Sequence, residues 1–108
     1  GLESYPMSLF VIAEAIYSSK SRIVEAIDKA YEASIARTVQ EPTESAKLIE
    51  ALDLGMKAAI AEAAIPKSAY VYRRASDLRR NIESMLSLFL EFDPTSIGGK
   101  LPDDKFYY

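Results

Sequence analysis

Apolar residues recur at helical spacing along most of the chain, and no segment alternates as a half-buried strand would. Ser4 and Pro6 predict the opening of a first helix over about residues 7–18. Its apolar positions (Met7, Leu9, Phe10, Val11, Ile12, Ile16, Tyr17) run nearly all the way round, as in a helix buried on most sides. A second helix is expected over about 22–39, with Ile23, Val24, Ile27, Ala30, Tyr31 and Ile35 on one face and Glu25, Lys29 and Glu32 on the other. A third, over about 44–65, shows two apolar stripes. One holds Leu48, Ile49, Leu52, Met56 and Ile60; the other, Ala51, Leu54, Ala58, Ala61 and Ile65, has the three–four spacing of a coiled-coil seam. Gly55 inside this run suggests close backbone packing.

Pro66 is read as the end of the third helix, and Ser68 as the cap of a fourth over about 69–92. That helix follows a heptad through Val71, Ala75, Leu78, Ile82, Met85, Phe89 and Phe92. Leu86, Leu88 and Leu90 widen its apolar surface, so its second half is expected to be buried on several sides. Asp93–Pro94 stops it, and Gly98, Gly99 and Pro102 make the remainder an extended tail ending in Phe106, Tyr107 and Tyr108. The expected fold is all-α: a four-helix bundle-like single domain over residues 1–94 with an extended C-terminal tail over 95–108.

Composition narrows the chemistry more than the architecture. With 108 residues, 49% hydrophobic and 27% charged, the chain has ordinary globular proportions. It contains no cysteine and no histidine. The commonest acid–base group near neutral pH, the thiolate nucleophile and the usual zinc ligands are therefore unavailable. Gly98–Gly99–Lys100 lacks the strand and helix that flank a phosphate loop, and no Ser-x-x-Lys occurs. Glu14, Glu50 and Glu62 are read as charges on helix surfaces rather than as a buried site. No enzyme, cofactor or metal is expected.

Charge singles out one stretch. From Lys67 to Arg80 five basic residues and one acid give +4, while the remaining 8 basic and 15 acidic residues carry −7. Arg73, Arg74, Arg79 and Arg80 form a candidate polyanion-binding cluster, with Tyr70 and Tyr72 as stacking surfaces. On a continuous helix Arg73 and Arg80 would share the outermost position. The competing reading is a solvated face held by the i,i+4 pairs Arg73–Asp77 and Arg79–Glu83, and nucleic acid is not the favoured partner.

The apolar surplus points elsewhere. A bundle needs one stripe per helix, and here three helices carry more than one. The expected function is a non-enzymatic helical interaction or assembly module, a self-associating chain or a small subunit of a larger complex. Its candidate interface residues are Leu54, Ala58, Ala61 and Ile65 on the seam and Phe106, Tyr107 and Tyr108 in the tail, which either pack back on the bundle or dock elsewhere. The alternative is a small nucleic-acid-binding subunit that grips the phosphate backbone through the arginines. No apolar run reaches membrane-spanning length and no basic residue precedes the first one, so an intracellular, cytoplasmic chain without a membrane partner is expected.

Overall fold

The computed structural model describes residues 6–108. The chain is all-α, as expected: five helices and two short 3-10 turns, with no strand among the described residues. The helices are α1 (Glu14–Ser19), α2 (Ser21–Gln40), α3 (Pro42–Ala51), α4 (Ala58–Ser68) and α5 (Arg79–Phe92). The chain divides into two compact units, Ile12–Tyr72 with α1 to α4, and Arg73–Tyr108 with α5, the latter also taking in the described residues before Ile12.

In the first unit α2 packs against α1, α3 and α4, and the most extensive packing joins α3 to α4. Its core is small. Ala46 of α3 and Ala61 of α4 are each only 1% exposed and cluster with Ile65, with Ile49 and Ala58 packed around them. Two facing alanines let helix backbones approach closely, so the buried volume here is backbone as much as side chain. Val24 is the buried residue of α2.

The expected third helix, 44–65, is two helices. α3 ends in a Schellman arrangement, in which Asp53 N–H donates to the Glu50 carbonyl at 3.0 Å and Leu54 N–H to the Ile49 carbonyl at 3.1 Å. Asp53 takes the left-handed conformation (φ 51°) that glycine usually supplies at this position. Gly55 follows with φ +81° and open space where a Cβ would stand, so it serves the turn and not close packing. The Glu50 carboxylate then receives Ala58 N–H at 2.8 Å and Lys57 Nζ at 3.2 Å, tying the end of α3 to the start of α4.

Three other boundaries differ from expectation. Residues 6–13 are not helical and only Glu14–Ser19 coils, against the expected 7–18. Phe10, Val11 and Ile12 are poor helix formers, and an all-round apolar helix is stable only when covered. Pro66 does not end its helix, which runs on to Ser68, where Ser68 Oγ donates to the Ala64 carbonyl and Ala69 turns left-handed at φ 49°. In the final turn a proline forfeits one backbone bond without stopping the helix. The expected helix 69–92 starts only at Arg79. Tyr70, Val71 and Tyr72 resist coiling, and Tyr72 is held by tertiary contacts instead. Its hydroxyl donates to the Asp28 carboxylate and its ring meets Tyr31 edge-on, with centroids 5.9 Å apart. The second helix, expected over 22–39, matches α2 to within a residue at each end.

In the second unit Ile82 and Leu86 form the buried face of α5, which packs against a 3-10 turn at Pro94–Ile97. That turn is capped by Asp93, whose Oδ1 accepts Thr95 N–H at 3.2 Å and Thr95 Oγ1 at 2.6 Å. Another turn at Asp104–Phe106 is capped by Asp103. The segment 95–108 thus holds two short turns as well as extended chain.

The α3–α4 core predicts a sharp contrast between two isoleucines of one helix. Ile65→Ala, which empties the core, should cost about 2–5 kcal/mol. Ile60→Ala, at a position 60% exposed, should change stability by no more than about 0.5 kcal/mol. Urea unfolding followed by circular dichroism measures both.

Candidate functional site

The residues singled out by charge and apolar pattern fall into three places. The first is the α3–α4 seam. Ala61 and Ile65 are buried in the hairpin core, Ala58 is half-buried at the first position of α4, and Leu54 lies exposed in the connecting turn. The stripe is continuous on a helical wheel but not in space, because the turn at 52–57 folds it inward. Glu50 and Glu62, weighed as site carboxylates, have local partners: Glu50 caps α4, and Glu62 accepts Thr43 Oγ1 at 2.5 Å. Among the described residues no group of three or more His, Cys, Asp or Glu side chains is arranged to hold a metal ion.

The second place joins the arginines to the C-terminal aromatics. Arg73 and Arg74 precede α5 in non-helical chain, so the helical spacing expected of Arg73 and Arg80 does not form. Arg79, the first residue of α5, is the hub. Its Nε donates to Glu83 at 2.8 Å, the i,i+4 pair expected from the sequence, and its NH2 group to Asp104 at 2.6 Å. Its guanidinium lies 4.6 Å from the centroid of the Tyr107 ring. Asp104 and then Glu83 raise the Arg79 pKa above its usual value by hydrogen bonding to the cation.

One turn of chain earlier Arg74 lies 5.3 Å over the Tyr108 ring, and Ser76 N–H donates to the Tyr108 carbonyl at 3.0 Å. Phe106 meets Tyr107 edge-on, centroids 5.3 Å apart. The three aromatics of the tail therefore pack back beside the start of α5, one of the two placements that the sequence left open. Asp104 is the contributor the sequence reading missed. Its only signal is an Asp103–Asp104 pair near aromatics opposite a basic cluster, which is weak. An open cavity of about 450 Å³ adjoins the hub, lined by Ser76, Asp77, Arg79, Arg80 and Glu83, with acid and base balanced.

The third place is the opposite side of α5. Met85, Leu88, Phe89 and Phe92 stand at i, i+3, i+4 and i+7 and form one stripe. Leu88 is 52% exposed, Phe89 46% and Phe92 81%. The sequence marked these positions as apolar but expected them covered. In the structure the buried positions Ile82 and Leu86 adjoin this stripe, Ile82 standing within about 20° of Phe89 around the helix. No helix of the described residues is long and apolar enough to cross a membrane.

Comparisons with protein-family models, with curated proteins and with solved structures each returned no match.

Burial raises the Tyr107 phenol above its ordinary value of 10.0, and the neighbouring Glu83 carboxylate reinforces the shift. A raised pKa means that the folded form holds the phenolic proton more tightly. Its contribution to stability is complete below pH 10.0 and is lost as pH rises through the folded pKa. The tyrosinate absorbance difference between the parent chain and Tyr107→Phe should therefore titrate above pH 10.0. A difference titration centred at or below that value would mean that the docked tail does not bury this ring.

Proposed function

We propose that the chain is a non-enzymatic helical interaction module that self-associates or serves as a small structural subunit of a larger assembly. The observation that carries this reading is the stripe on α5 in which Leu88, Phe89 and Phe92 are exposed beside the half-buried Met85. Exposed apolar residues scattered singly are normal on any protein, but large side chains in register along one helix face are a contact surface. Composition supports the non-enzymatic part, since neither histidine nor cysteine is present to serve as base, nucleophile or soft ligand. The candidate seam residues Ala61 and Ile65 contribute to the module's own core, and the reading rests on α5 in their place.

The alternative of a phosphate-backbone grip through Arg73, Arg74, Arg79 and Arg80 has less support. Arg79 is engaged by two carboxylates and a ring, and Arg74 lies over Tyr108. The rest of the chain carries −7 and repels polyanions.

Light scattering from micromolar to near-millimolar concentration should give a mass that climbs above the monomer's 12.0 kDa. A constant 12.0 kDa would remove the self-association reading. Single-stranded oligonucleotide should not bind at low salt. Binding with a log–log salt slope of about −3, the share of four phosphates, would establish the arginine reading instead.

A further inference from the structure

Arg73 and Arg74 stand three and two positions before Ser76, and no other serine or threonine of the chain has a basic residue at either distance. Protein kinases choose among hydroxyls by such charge patterns, and one with carboxylates beside its peptide groove takes a serine preceded by arginines in this way. Arg73, Arg74 and Ser76 are exposed, and residues 70–78 are not helical. Residues 75–78 form a turn in which Asp77 N–H donates to the Arg74 carbonyl at 3.1 Å and Leu78 N–H to the same oxygen at 3.2 Å. Two backbone bonds in a surface turn open at little cost, which lets the chain extend in a peptide groove.

Ser76 also lies between the cationic start of α5 and the C-terminal tail. It lines the open cavity of about 450 Å³ with Asp77, Arg79, Arg80 and Glu83. Its N–H donates to the Tyr108 carbonyl at 3.0 Å. The tail is held further by Asp104, which accepts from Arg79 at 2.6 Å, and by the Tyr107 ring against the same guanidinium. We propose that Ser76 is a phosphorylation site of an arginine-directed protein kinase, and that its phosphoryl group releases the tail by taking Arg79 from Asp104. In the transfer the Ser76 hydroxyl oxygen attacks the γ-phosphorus of a nucleoside triphosphate bound to the kinase. The new O–P bond forms as the bond to the bridging oxygen breaks, the nucleoside diphosphate leaves, and the hydroxyl proton passes to a carboxylate of the kinase. The modification is independent of whether the chain self-associates.

Charge and chain length decide the competition for Arg79. The charged side chains lining the cavity are two acids and two bases, and a phosphoserine adds about −1.5 to −2 at pH 7. Its three oxygens can take several guanidinium donors of Arg79 and Arg80 at once, whereas Asp104 accepts with one oxygen. Asp104 lies 25 residues from Arg79, and its side chain is 88% exposed, so its bond is screened by water and has a tail to hold in place. Ser76 and Arg79 are only three positions apart, and joining them closes a short loop. The phosphoryl group also repels the Asp104 carboxylate. With Arg79 turned away, the Tyr107 ring loses its cation as well.

The test incubates the full chain with the cyclic-AMP-dependent protein kinase, an arginine-directed enzyme, and labelled ATP, and maps the label by mass spectrometry. A single phosphoryl group should enter, at Ser76. Ser76→Ala should take up none, and Arg73→Ala should slow uptake by about tenfold or more, with circular dichroism to confirm unchanged helicity. Failure of Ser76 to take up label, or uptake undiminished by either substitution, overturns the site. Release of the tail is read from Tyr107. In the phosphorylated chain the tyrosinate difference between the parent and Tyr107→Phe should fall to about the ordinary 10.0. A ring that stayed docked would feel the added negative charge and titrate higher than before. Uptake at Ser76 with a Tyr107 titration that is unmoved or raised therefore overturns the release.

Discussion

The packing of α3 on α4 hangs on the carboxylate of Glu50. One oxygen accepts the first N–H of α4 and the other the Lys57 ammonium, while the Glu50 carbonyl closes the end of α3. A helix start has four backbone donors without intrahelical partners, and α4 has no side chain of its own at the cap position to meet them. A residue eight positions earlier supplies the acceptor. This long-range cap, with the left-handed Asp53 and Gly55, reverses the chain in six residues and brings Ala46 against Ala61. Without the reversal the Ala51–Leu54–Ala58–Ala61–Ile65 stripe would lie along one straight helix and face outward. With it, Ala61 and Ile65 become core.

Helical periodicity revealed the all-α class and the whole of α2, because a long amphipathic stripe with charges opposite it admits few other structures. It failed where a turn was made by residues that do not announce one. Gly55 was visible, but Asp53 in a left-handed conformation was not, since aspartate is also an unremarkable helix-surface residue. The heptad through Val71 and Ala75 was equally persuasive and equally local. In the structure Tyr72 instead takes a part-buried hydroxyl partner in Asp28 and a ring partner in Tyr31, in a segment that is not helical. The site was legible in part. The Arg79–Glu83 pair follows from i,i+4 spacing, whereas Asp104 lies 25 residues from Arg79 and no local rule joins them.

The two sides of α5 show how a short helix separates structural from available surface. On one side Arg79 collects Glu83, Asp104 and the Tyr107 ring, so the charge noticed in the sequence is spent on holding the tail. Exposed ion pairs of this kind add little stability individually, but a ring and two carboxylates converging on one planar cation fix an orientation. On the other side the leucine and phenylalanines expected to lie in the core remain uncovered. The arginines and the apolar surplus looked like rival clues to a partner. In the structure the first serves the fold, and the second stays exposed on α5.

Small units pay for that division with stability. A body the size of Ile12–Tyr72 buries only about 60% of the surface that its unfolded chain exposes. Its cluster here is two alanines and an isoleucine, side chains that yield little transfer free energy for the area that their backbones cover. Every large apolar group that this unit keeps at its surface, Ile60 among them, is one withheld from a core that is already minimal. A partner that binds only the folded form returns part of the withheld area by mass action, with a stabilisation that grows with its concentration above the dissociation constant. For a second copy of the same chain that ligand is the protein itself, so folding and association are linked through one concentration. On the self-association reading proposed above, the uncovered phenylalanines of α5 would be a reserve of stability as well as a recognition surface.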